Sequence, residues 1–178
     1  MIFKFKIHLK SNFLRYVVTC VVMFCLTYFP SGMAVSAQLK PFEAKAIYLF
    51  KIANYIKWPD DANKAQIHYC IFGDKELRDT FDDIAKKKLV AGKQLVPVNV
   101  IEECDLVYMG NKFVIDELAP YQIAVGDKDQ FAVKGGQIEL KQNKNKLELI
   151  VNYPSVKESD IRLSSKLLKI ATIIEDPS

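Results

Sequence analysis

From Pro41 onward the chain switches between two kinds of apolar spacing. Phe42, Ala46, Leu49, Ala53 and Ile56 recur at helical intervals, with Ile47 and Phe50 widening the stripe. This predicts a helix, buried on much of its circumference, that opens at Pro41 and stops at residues 57–58. Pro59 sets that end, because the residue before a proline is driven out of helical geometry. Residues 67–72 are a short run rich in aromatic and branched side chains bounded by Gly73, the pattern of a buried strand. Asp74 then caps a helix with Leu77, Phe81 and Ile84 inward, and Lys86, Lys87 and Lys88 suit the negative end of its dipole. Residues 95–101, 106–109 and 123–125 read as three further strands. Residues 138–141 alternate, 143–145 turn and 147–151 answer, which predicts a hairpin. Ser164 or Ser165 caps a last helix with Leu167, Leu168, Ala171 and Ile174 inward. Strands alternating with helices imply parallel pairing, and the hairpin adds an antiparallel pair. The expected fold is a single α/β domain: a mixed, partly parallel β-sheet flanked by helices, an α/β sandwich.

The first 37 residues follow a different logic. Lys4, Lys6, Lys10 and Arg15 precede a fourteen-residue apolar run over residues 16–29, and Val35 and Ala37 place small side chains at the −3 and −1 positions of a cleavage site. A positive start, an apolar middle and a small-residue end define a secretory signal. The run is too short for a membrane anchor, which needs about 20 residues, and Pro30-Ser31-Gly32 interrupts it. Residues 1–37 are therefore expected to be a cleaved signal peptide and residues 38–178 the exported domain.

Subtracting that segment alters the charge and cysteine counts. The whole chain has 25 Lys and Arg against 21 Asp and Glu, yet the 141 residues from Gln38 hold 21 of each. The basic balance belongs to the leader and supports neither nucleic-acid binding nor a polybasic membrane patch. Cys20 and Cys25 leave with it, so Cys70 and Cys104 remain. In an oxidising compartment two such thiols are expected to pair. Two readings of that bond stand: a structural staple, or a redox-responsive link, which would require it to be strained or exposed.

Catalytic chemistry finds few residues to work with. After Gln38 the chain has one histidine, His68, and neither a Gly-x-Ser-x-Gly elbow nor a His-Glu-x-x-His pair. His68, Cys70 and Cys104 lack the paired spacings of a zinc site. No phosphate-binding glycine motif is present, and no cofactor or metal is expected. One echo stands out: Gly73-Asp74-Lys75 and Gly126-Asp127-Lys128 both follow predicted strands. Such turns at the carboxyl ends of parallel strands either line a pocket or simply cap helices. Tyr48, Tyr55 and Trp58 cluster along the first helix and its exit, the residue types that favour half-wet interfaces.

The string Lys45-Ala-Ile-Tyr-Leu-Phe-Lys-Ile-Ala-Asn-Tyr-Ile-Lys-Trp-Pro59 resembles the opening signature of the YfiR/HmsC family of periplasmic regulators. Further matches follow in order: Cys70-Ile-Phe-Gly-Asp74, Ala91-Gly-Lys93, Cys104 before an apolar strand, Val125-Gly-Asp127, Phe131, Gly135-Gly136-Gln-Ile138 and Leu163-Ser-Ser-Lys-Leu-Leu-Lys169. The resemblance implies a non-enzymatic repressor that binds the periplasmic sensor region of a membrane-bound diguanylate cyclase and lowers cyclic di-GMP, with effects on biofilm formation. It also implies an outer-membrane lipoprotein as a second partner and places Cys70 and Cys104 at the family's disulfide positions. A homodimer is an open alternative for its assembly. Two departures are visible: Asp105 stands where a histidine is expected after Cys104, and Asn152-Tyr-Pro-Ser155 replaces an alanine-rich helix start. The alternative function is a small-molecule-binding module with a pocket near the first and last helices. The binding residues expected on these grounds are Tyr48, Tyr55, Trp58 and Arg162.

Overall fold

A computed structural model describes residues 39–59, 64–110, 118–144 and 146–175, together with Tyr16 and Cys20. The expected signal peptide, residues 1–37, lies outside the described residues apart from those two positions. The chain divides into two units, Met1–Gln38 and Leu39–Ser178, and the second is the one described below.

Helix α1 spans Pro41–Asn54, with proline in its first turn and Glu43 Oε2 accepting from the Lys40 amide at 2.8 Å. It stops short of the expected end because Ile56–Lys57 forms a two-residue strand, β1. Strand β2 is Gln66–Phe72. Asp74 accepts from the Leu77 amide at 2.9 Å and so starts α2, Lys75–Ala85. Strands β3 (Leu89–Val90) and β4 (Lys93–Pro97) form a tight hairpin. Its two linking residues, Ala91 and Gly92, have φ of 49° and 81°, the left-handed pair that matches strand twist. The strand expected over residues 95–101 thus starts earlier and ends at Pro97, and Ile101–Glu103 instead makes a 3₁₀ turn. Strands β5 (Leu106–Met109), β6 (Ile123–Gly126), β7 (Ile138–Asn143) and β8 (Lys146–Asn152) follow.

The carboxyl-terminal segment departs most from expectation. Asn152 Oδ1 accepts from the Ser155 amide and begins a short helix, α3, Tyr153–Glu158, which periodicity alone did not reveal. Strand β9 (Arg162–Leu163) pairs antiparallel with β1. Ser164 does cap a helix, but α4 covers only Ser165–Leu168. Thr172–Ile174 then forms strand β10, parallel to β8. The expected long last helix is therefore corrected to one turn and an edge strand. Three β-branched residues in a row suit a pleated edge better than a helix.

The large sheet has the order β10-β8-β7-β6-β5-β2-β4-β3. Strands β4, β2, β5, β6 and β7 run parallel, while β8 pairs antiparallel to β7 and β3 to β4. This is the mixed sheet flanked by helices that the sequence predicts, with four helices among the described residues. No described helix is long and apolar enough to cross a membrane.

Period-two alternation sorts each strand between two faces. Ile67, Tyr69 and Ile71 of β2, Leu106 and Tyr108 of β5, and Ile123 and Val125 of β6 join the main core. Ala46, Leu49, Ile52 and Ala53 of α1 and Leu77, Phe81 and Ala85 of α2 share that core. There the Tyr69 and Phe81 rings meet edge to face at 4.7 Å, and the Tyr69 hydroxyl donates to Asp82 at 2.6 Å. The intervening residues face the rear, where Cys70, Val107, Met109, Ala124, Cys104 and Phe131 form a second cluster.

Phe131 explains one stretch of the sequence. An added Cβ at Gly126 would lie 2.7 Å from its ring, and one at Gly136 would lie 2.3 Å from it. The loop leaving β6 folds back so that the ring rests where two side chains are missing. Asn152 Nδ2 donates to Ala132 O at 2.8 Å and Glu139 Oε2 accepts from the Ala132 amide at 3.1 Å, which fixes the loop beside the ring. Overpacking such a site costs about 1–3 kcal/mol. Gly136→Ala should therefore lower the unfolding free energy by that amount, read as a lower urea midpoint with an unchanged slope, and an unchanged midpoint would show that the ring is not seated on this backbone.

Candidate functional site

Three arrangements in the folded unit bear on function: a cluster at the carboxyl ends of the parallel strands, the rear-face disulfide, and a groove beside α1.

The two Gly-Asp turns do come together. Asp74 follows β2 and Asp127 follows β6, and Lys45 of α1 reaches both: its Nζ is 3.6 Å from Asp74 Oδ2 and makes a short contact with Asp127 Oδ2. All three side chains are largely buried, between 14 % and 22 % exposed. The Tyr108 hydroxyl, fully buried on the strand between them, has no well-aligned hydrogen-bond partner among the described residues. Burial first, then the carboxylates of Asp127 and Asp74, hold its pKa well above that of a free phenol. The arrangement ties α1 to the ends of two strands. Removing the cation would leave two carboxylates facing each other, and hydrogen bonds to charged groups are worth about 1.5–3 kcal/mol. Lys45→Met is expected to lose about 2 kcal/mol in urea unfolding; a loss no larger than that of an exposed lysine would show that the clamp carries no weight.

Cys70 and Cys104 are joined by a disulfide with Cα atoms 5.9 Å apart. Cys70 lies on β2 and Cys104 follows the 3₁₀ turn, and both are buried in the rear cluster. The Val100 carbonyl oxygen sits 3.2 Å from the Cys104 sulfur and 3.8 Å from that of Cys70. The turn is gripped from its other side as well. Gln122 Nε2 donates to Cys104 O at 2.8 Å and also to Ile101 O, and the Tyr121 hydroxyl donates to Glu102 O at 2.7 Å. A shielded bond between firmly held segments fits the staple reading. With a sequence separation of 34, it should contribute about 2–4 kcal/mol. Replacing both cysteines with serine is expected to lower stability by that amount, read by urea unfolding; equal stability with and without the bond would remove it from the folding energetics.

The departure at Asp105 has a local explanation. Its carboxylate, 2 % exposed, accepts from the His68 amide at 2.8 Å and pairs with Lys64, which ties the approach to β2 to the start of β5. His68 Nδ1 lies 3.2 Å from Glu103 O. Among the described residues no three His, Cys, Asp or Glu side chains group as metal ligands would.

The third arrangement is a groove of about 580 Å³ lined by Phe50, Lys51, Asn54, Tyr55, Lys88 and Leu89. The carboxyl-terminal half of α1 makes one wall and the β3 hairpin the other. Leu89 is 60 % exposed, unusual for a leucine on a strand. Lys51 Nζ stands 5.4 Å from the Tyr48 ring centroid and Lys88 Nζ 5.7 Å from that of Phe50. Neither lysine meets a carboxylate among the described residues. Aromatic surface, an exposed leucine and two unpaired cations make a surface suited to a partner with apolar and acidic groups.

Of the expected binding residues, Tyr55 lines this groove and Tyr48 stands beside it on α1. Trp58 does not: it is 3 % exposed within the main core, and its indole Nε1 has no hydrogen-bond partner among the described residues. Arg162 is exposed but turned onto its own chain, donating to Ser159 O at 3.0 Å and Ile161 O at 2.9 Å. The β1–β9 ribbon does bring their neighbourhoods together, since Lys57 pairs with Arg162. Lys45, Lys51, Lys88 and Leu89 were not expected. A lysine inside an amphipathic helix gives no sign in the sequence of which face it serves, and Leu89 was hidden by a hairpin that periodicity did not show.

The fold and these surfaces define a mixed α/β domain whose most developed features are structural clamps and a surface groove. A family model described as DUF4154, YfiR/HmsC-like, matches residues 42–172, and the chain belongs to that family. Membership suggests a periplasmic regulator of cyclic di-GMP signalling, and the family is regulatory and not known for enzymes. Among solved structures the chain is similar to a conserved domain protein from Vibrio cholerae O1 biovar El Tor strain N16961, at 12 % identity and a TM-score of 0.47. That match covers 76 % of this chain and 60 % of the other. No curated protein matches the chain.

Proposed function

We propose that this protein is a periplasmic repressor that binds the sensor region of an inner-membrane diguanylate cyclase through the α1 groove and thereby lowers cyclic di-GMP. The observation that carries the reading is the family match over residues 42–172, which takes in every element from α1 to the start of β10. On this reading residues 1–37 direct export and are removed, and the oxidising compartment forms the Cys70–Cys104 bond. An outer-membrane lipoprotein that sequesters the repressor would be a second partner.

The groove supplies the recognition chemistry. Tyr55, Phe50 and Leu89 offer apolar anchors, and aromatic anchors at the centre of an interface carry a disproportionate share of binding energy. Lys51 and Lys88 give the rim its charge, so association should weaken as salt rises.

Two measurements test this. Deleting the gene is expected to raise cellular cyclic di-GMP, and a plasmid copy to restore it. The purified double variant Lys51→Glu, Lys88→Glu, with unchanged thermal stability, is expected to bind the isolated sensor region at least about tenfold more weakly, roughly 1.4 kcal/mol. Unchanged cyclic di-GMP on deletion, with no capture of any cyclase sensor region, would exclude the repressor reading. Unchanged affinity of the double variant would move the contact surface elsewhere on the domain.

A further inference from the structure

A second cleft lies at the amino ends of β6 and β7, closed on one side by α3. Its volume is about 240 Å³, and its polar lining includes Gln122, Gln137, Ser155, Glu158 and Ser159. The two glutamines are buried, 2 % and 8 % exposed, and they differ in one respect. Gln122 spends its whole carboxamide on the protein: Oε1 accepts from the Ala119 amide at 2.8 Å, and Nε2 serves the Ile101 and Cys104 carbonyls. Gln137 spends half. Its Oε1 accepts from the Ala124 amide at 2.7 Å, which fixes the orientation of the group, and its Nε2 donates to no described atom. That N–H opens on the cleft, and a donor held in one orientation at a cleft wall can exchange water for a ligand acceptor.

The remaining polar groups narrow the choice. Ser159 Oγ is occupied, donating to Val156 O at 2.8 Å and accepting from the Ile161 amide at 3.2 Å. Ser155 Oγ is turned to Gly135 O at 3.4 Å. Among the described residues no lysine, arginine or histidine lines the cleft, and Glu158 is the one charged side chain. An anion would find a carboxylate and no cation, whereas an ammonium group would find its counter-charge. The size points the same way: at about 30 Å³ per water, the space holds roughly eight waters, below the usual volume of a pocket for drug-sized ligands.

We propose that this cleft is a binding site for a small amine that also carries an oxygen acceptor, an amino alcohol or amino amide, with the acceptor on Gln137 Nε2 and the ammonium on Glu158. The site is independent of the α1 groove and of the cyclase reading.

The test uses ethanolamine and glycinamide as probes of the purified protein by ligand-observed saturation-transfer NMR and calorimetry, with ethylene glycol and acetate as controls. Both amines are expected to bind saturably, ethylene glycol at least about tenfold more weakly, and acetate not at all. Gln137→Leu should abolish amine binding. Because that change also unpairs the Ala124 amide, the exposed Glu158→Gln serves as the second variant, expected to fold normally and to bind amines no better than ethylene glycol. Absence of saturable binding by either amine would mean that the cleft holds only water and would overturn the proposal. Acetate binding as tightly as ethanolamine, or amine affinity unchanged in Glu158→Gln, would overturn it equally.

Discussion

The contact of Lys45 with Asp74 and Asp127 is the constraint on which the arrangement of this domain turns. One cation on α1 joins the ends of β2 and β6, strands that flank β5 in the sheet. Apolar burial alone would hold α1 on the sheet but would leave its rotation and slide weakly fixed, since hydrophobic contact is non-directional. A charged group with two acceptors on different strands supplies direction. Once Lys45 is inward, Ala46, Leu49, Ile52 and Ala53 are buried and Lys51, Asn54 and Tyr55 line the groove. The pose of the proposed contact surface is in this sense set about two turns away from it.

The two faces of the sheet are stabilised by different means. The front face relies on a large apolar core shared by both long helices. The rear face is a small cluster beside which the described segments are mainly turns, and turns bring backbone groups that need partners. Gln122, Gln137, Glu139 and Asn152, all buried, meet that need by bonding to main-chain atoms of the segments that lie over the cluster. The disulfide adds a covalent tie on the same side. Buried carboxamides thus gather on the face where, among the described residues, no long helix packs, and the incompletely used one, Gln137, opens on a cleft.

Much of this was legible in the chain. The strands of the central sheet, the Asp74 cap and the 138–152 hairpin follow from period-two runs and from punctuation by glycine and aspartate. The Cys70–Cys104 pairing followed from counting thiols. What was hidden depends on tertiary partners. The end of α1 was overestimated because Ile56 and Lys57 find a strand partner more than a hundred residues later. Helix α3 carries Pro154 in its first turn and has too few residues to show a period, and β10 becomes a strand only because β8 offers it an edge. Among site residues, tyrosines on a helix were a fair sign of a wet surface, whereas Trp58 was drawn into the core by the same apolar character that made it a candidate. The repeated Gly-Asp turns pointed to the right end of the sheet, though what joins them there is a lysine from α1.

The most direct measurement is hydrogen–deuterium exchange of the protein alone and with a saturating excess of the periplasmic sensor region of a membrane diguanylate cyclase from the same cell. If the α1 groove is the contact surface, slowed exchange concentrates in residues 48–55 and 86–90, while the β6–β7 loop and α3 exchange as in the free protein. Protection confined to the rear face or to the β1–β9 ribbon, with α1 unaltered, would contradict it.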